Sequence, residues 1–95
     1  MQRRRQFMIT FSSTHQAIQV EKLVNEAGIK GRIVGIPNQI SAGCGLALLA
    51  DYNDASNIGH LIEVNNLHND VHVYMIEYDG LEKRYEPFNL LEIRE

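Results

Sequence analysis

A chain of 95 residues with 44% hydrophobic content fits one small folded domain, and it is too poor in Pro and Ser for a disordered one. Its net charge of −3 sets bulk electrostatics against a nucleic-acid partner. A core of this size is limited in area, so a homodimer would add burial that one chain lacks.

No apolar run approaches the ~18 residues that a membrane span needs. The N-terminus has charges but lacks the apolar stretch of a signal peptide. The one cysteine, Cys44, has no intrachain disulfide partner, and the expected location is a reducing cytoplasm. The short basic run Arg3-Arg4-Arg5 reads as a solvated end before the first strand rather than an RNA-binding arm.

From Gln6 to Ser12, Phe7, Ile9 and Phe11 alternate with Met8, Thr10 and Ser12, the period of a strand. Ser12-Ser13-Thr14 then supplies helix-capping hydroxyls. Ala17, Val20, Leu23, Val24 and Ala27 recur at helical spacing, and Gly28 ends that helix. Residues 32–36 form a second short strand, stopped by Pro37. A loop rich in Asn, Ser and Gly runs from Pro37 to Gly45. Leu46-Ala47-Leu48-Leu49-Ala50 reads as a strand covered on both faces or nearly so. Asp51, Asn53 and Asp54 offer a helix start, and Ala55, Ile58, Leu61, Ile62 and Asn65 give a second helical face. Residues 71–78 form a fourth strand. Asp79-Gly80 signals a hairpin from which residues 81–85 can pair back, and a tail follows from Pro87.

Strand, helix, strand, strand, helix, strand is the order of an α+β, ferredoxin-like βαββαβ sandwich. Two right-handed crossovers put both helices on one face of a four-stranded antiparallel sheet, with an extra C-terminal hairpin strand as an option. The chain is then a single domain over residues 1–95, with its core in 6–78 and a hairpin or tail in 79–95.

Following the strand directions, three connections meet at one edge of that sheet: residues 12–15, 37–45 and 66–70. Strands one and three are central neighbours, so Cys44 is expected near the N-terminus of the first helix. Gly43 and Gly45 flank it and let the backbone turn sharply, leaving the sulfur uncrowded. A helix N-terminus carries partial positive charge, which lowers a nearby cysteine pKa into a range of about 3.5 to 7.5. The thiolate is the nucleophile, and His15 in the helix's first turn is a candidate positive partner or proton donor. Lys30 and Arg32 fall at the opposite edge and are poorer candidates.

Other chemistry is weakly represented. His60 belongs to the exposed side of the second helix, and His68 and His72 straddle a helix-to-strand junction, so they do not make a helical metal pair. No metal site or cofactor is expected. No Walker loop, dinucleotide fingerprint or nucleophile elbow is present.

Ser13-Thr14-His15, the helix end Glu26-Ala27-Gly28-Ile29, then Ile36-Pro37, Ile40-Ser41 and Cys44-Gly45-Leu46-Ala47-Leu48 carry a family likeness. They resemble the selenium/sulfur carrier family, small bacterial and archaeal proteins with one cysteine. The resemblance covers roughly residues 6 to 65. Ala42 stands where the family often has a second serine. Asn38-Gln39 and Leu49-Ala50 replace basic residues common in it.

The resemblance implies that Cys44 holds a persulfide or selenopersulfide, with Gly43, Gly45, Ser41, Ser13, Thr14 and His15 in support. It implies a cysteine-desulfurase-like donor, an acceptor protein and no cofactor, a carrier rather than an enzyme. Two other classes stand beside it. One is a dimeric regulatory or ligand-binding module in which Cys44 is incidental. The other is a soft-metal chaperone, which normally presents paired sulfurs that one cysteine supplies only across a dimer.

Overall fold

The computed structural model describes residues 5–37, 40, 44–67 and 71–87, the side chain of Asp79 excepted. The elements run β1 (Gln6–Phe11), α1 (Thr14–Glu26), β2 (Gly31–Gly35), β3 (Leu46–Asp51), a 3-10 turn (Tyr52–Asp54), α2 (Ala55–Val64), β4 (Val71–Asp79) and β5 (Glu82–Pro87). All five strands form one antiparallel sheet in the order β2-β3-β1-β4-β5.

The expected sheet had four strands with a C-terminal hairpin strand as an option, and that fifth strand is present. The fifth arises because the chain after β4 turns back and pairs with it from Asp79↔Glu82 to Tyr74↔Pro87. The turn sits one residue later than the Asp79-Gly80 signal implied. Asp79 and Glu82 face each other, and Gly80-Leu81 closes the loop. Gly80 has a φ of 65° while Leu81 does not have a positive φ, the pattern of a type II′ turn with glycine first.

The two faces of the sheet follow from the period of two. On one face Phe7, Ile9 and Phe11 of β1, Leu48 and Ala50 of β3 and Val73 of β4 meet Ala17, Val20 and Val24 of α1 and Ala55, Ile58 and Ile62 of α2. Both helices therefore cover the same side. Each fully buried Leu, Ile or Phe here stabilises the fold by about 1.5–3 kcal/mol.

The opposite face is not open. Met8, Ala47 and Ile76 are buried there, with Val34, Ile36, Ile40, Leu49, Tyr74 and Tyr85 packed around them. Met8 and Thr10 take the polar-side positions of the β1 alternation and are nonetheless 2% and 1% exposed. The chain after β2 brings Ile36 and Ile40 onto this face, and β5 brings Tyr85. Thr10 satisfies its hydroxyl by donating to the His72 carbonyl at 3.4 Å.

Helix ends are closed by local chemistry. Both α1 and α2 finish in the paired 6→1 and 5→2 hydrogen bonds of a Schellman turn. In α1 these are Ile29 N–H to Val24 O and Gly28 N–H to Asn25 O, with Gly28 at φ 77°. In α2 they are Leu67 N–H to Ile62 O and Asn66 N–H to Glu63 O, with Asn66 at φ 56°. Asn replaces Gly there because its short polar side chain tolerates the left-handed region. Among the described residues no helix is long and apolar enough to cross a membrane.

Met8→Ala is expected to lower the unfolding free energy by roughly 2–5 kcal/mol, as in a buried core. A urea titration giving a loss under about 0.5 kcal/mol, the range of surface substitutions, would show that the second face is solvated.

Candidate functional site

The β1–β3 register sets where Cys44 lies. Gln6 pairs with Asp51 at one end of the ladder and Thr10 with Ala47 at the other. Cys44 is three residues before Ala47, and Ser13 is three residues after Thr10. Antiparallel strands therefore deliver both to the same sheet edge, where α1 begins. Ile36 N–H donates to Gly45 O at 3.1 Å and brings the end of β2 to this edge as well.

Cys44 itself is less open than its flanking glycines suggested. Although Gly45 interrupts the extended backbone, the Cys44 side chain packs against the helix-side core, as Leu46 does. The thiol is free and half-buried. It lies 3.7 Å from the Leu46 carbonyl, to which it donates. Gly45 next to it is exposed and has a φ of 76°, a left-handed conformation that turns the chain into β3. A Cβ at this glycine would meet no atom within 4 Å, so its requirement is conformational rather than one of space.

Ser13 is the N-cap of α1, with extended backbone, and its hydroxyl accepts from Gln16 N–H at 3.1 Å. Thr14 and His15 occupy the first two helical positions and are exposed. Among the described residues, no hydrogen bond joins Cys44 to Ser13, Thr14 or His15. The edge thus gathers these residues in one region, while Ser13 serves the helix start and Cys44 serves β3. Ser41, Gly43, His68 and most of the Arg3-Arg4-Arg5 run lie outside the described residues. Arg5 does not, and its guanidinium stands 6.0 Å from the Tyr52 ring centroid. His60 and His72 are exposed. Among the described residues no group of three His, Cys, Asp or Glu could hold a metal ion.

Gln16 is the residue that sequence reasoning missed. Its side-chain oxygen lies 3.4 Å from both the N–H and the hydroxyl of Ser12, and its amide donates to Leu67 O at 3.3 Å. One side chain thereby ties the start of α1 to the segment leaving α2. The signal was present: Ser13-x-x-Gln16 is the capping-box spacing, here with the glutamine reaching one residue beyond the cap.

Lys30 and Arg32 sit, as expected, at the far end of the sheet. There they line a cleft of about 810 Å³ with Gln6, Asn25, Leu49, Asp51 and Asp54, between the α1–β2 turn and the β3–α2 turn. No spacing rule exposes this cleft, because its walls come from five elements that only the fold brings together.

A family model described as "Putative Se/S carrier protein-like" matches residues 6–72, which is more than half of the chain and includes Cys44. No curated protein and no solved structure matches the chain.

Gly45→Ala is expected to cost roughly 1–2 kcal/mol, the penalty for a left-handed non-glycine residue. Gly35→Ala, which meets no atom within 4 Å and has no positive φ, should stay within about 0.5 kcal/mol. Equal losses in paired denaturation curves would contradict the conformational role of Gly45.

Proposed function

The chain belongs to the Se/S carrier protein-like family, and from that premise we propose that Cys44 carries sulfur or selenium as a persulfide or selenopersulfide. The observation that carries the reading is the family match across residues 6–72, within which Cys44 is the one cysteine of the chain. Sulfur handover needs one thiol and no other cofactor.

The step is an exchange. The Cys44 thiolate attacks the terminal sulfur of a donor persulfide. A new S–S bond forms on Cys44, the donor's S–S bond breaks, and the donor leaves as a thiolate. Reversal onto an acceptor thiol unloads the carrier. The donor is a protein persulfide of the cysteine-desulfurase type.

Several features support loading at this sulfur. The thiol is free, with one hydrogen bond, to the Leu46 carbonyl. Gly45, next in sequence, is exposed, so its backbone N–H is a candidate donor to the added chalcogen. The start of α1 at the same edge contributes the positive end of a helix. Ser41, Gly43 and His15 are assigned supporting roles in this reading, His15 as a positive partner or proton donor. Burial against the core restricts attack to a donor that can reach the sheet edge. Such a site favours handover between docked proteins over reaction with bulk thiols.

Incubated with a desulfurase and radiolabelled cysteine, the wild-type chain should gain one dithiothreitol-releasable sulfur, and Cys44→Ser should gain none. Label retained by the Cys44→Ser chain would overturn the carrier reading.

A further inference from the structure

We propose that the cleft at the Lys30–Arg32 end binds a small zwitterion of the free α-amino-acid class. Its carboxylate would lie on Lys30 and Arg32 and its ammonium on Asp51 and Asp54. The proposal is independent of any sulfur chemistry at Cys44, which lies at the opposite edge of the sheet.

The cleft places charges of both signs around one space without joining them. Lys30 immediately precedes β2 and Arg32 is its second residue, so the two cations stand two residues apart in the chain. Arg32 pairs with Leu49, and Asp51 is two residues further along β3 on the same face. Such diagonal neighbours lie ~7–8 Å apart. Among the described residues neither cation forms an ion pair, and Asp51 uses its carboxylate to accept Asn53 N–H at 2.8 Å. Asp54 sits at the N-cap of α2, yet its side chain makes no capping bond there, although it is half-buried. Capping is the ordinary use of an aspartate at that position, and here the carboxylate lines the cleft instead.

This pattern selects by chemistry. A simple anion drawn to the two cations meets the two carboxylates, and a simple cation meets the reverse. A ligand whose opposite charges are a few atoms apart satisfies both walls at once. The guanidinium of Arg32 suits a carboxylate in bidentate geometry. Leu49, which shares a sheet face with Arg32 and Asp51, gives the cleft an apolar patch for an aliphatic side chain.

The test is a titration of the full-length chain with L-leucine, followed by two-dimensional amide NMR. Saturable shifts confined to residues 28–32 and 51–54 are expected. Arg32→Met and Asp54→Asn should each weaken binding about tenfold, the effect of losing one charge-assisted hydrogen bond. The single-charge analogues 4-methylpentanoate and isoamylamine should weaken it to a similar extent. Dispersed amide spectra of the two variants would establish that they fold. The proposal is overturned if L-leucine gives no saturable shift at about 10 mM. It is also overturned if either analogue binds as well as L-leucine, or if both substitutions leave the affinity unchanged.

Discussion

The antiparallel pairing of β1 with β3 is the constraint on which the rest of the molecule depends. These two strands lie at sequence positions far apart, so their pairing carries a loop-closure cost that burial must offset. The offset comes from both faces. Phe7, Ile9 and Leu48 face the helices, while Met8 and Ala47 are buried on the other side. A sheet buried on both faces at its centre holds its register firmly, because a slip of one residue would exchange the two sets of side chains. Residues as bulky as Phe7 and Phe11 would then meet the space built for Met8 and Ala47.

The same register creates two chemically different ends. At one end β1 runs into the capped start of α1 while β3 is entered from Cys44 and Gly45. At the other, β3 runs into the capped 3-10 turn while β2 is entered from the Schellman turn at Gly28. The cleft end holds Lys30, Arg32, Asp51 and Asp54. The proposed carrier thiol and the proposed zwitterion cleft are thus separated by the length of β3.

Local chemistry makes the thiol end stiff. Ser13 caps α1, Gln16 joins Ser12 to Leu67, and Ile36 reaches Gly45. The Cys44 thiol also donates to the Leu46 carbonyl at 3.7 Å.

Much of this was legible in particular residues. The alternation of Phe7, Ile9 and Phe11, the helical spacing of Ala17, Val20 and Val24, and Gly28 as a helix stop each state a local preference that the fold obeys. The Asp79-Gly80 signal found the hairpin but set its turn one residue early, since a type II′ turn wants glycine first and tertiary pairing with β4 decided the register. The burial of Met8 and Thr10 was not legible, because alternation says which residues share a face and not what later covers it.

The sequence by itself determined the elements, their order and the lone thiol, together with the resemblance that the family match bears out. These are properties of short windows, where backbone sterics, capping and side-chain period act within a few residues. Only the tertiary structure decided that Cys44 packs against the core, that Gln16 joins two distant segments, and that four charged residues from separate elements surround one cleft. Each of those depends on contacts between residues remote in the chain, and no local preference encodes them.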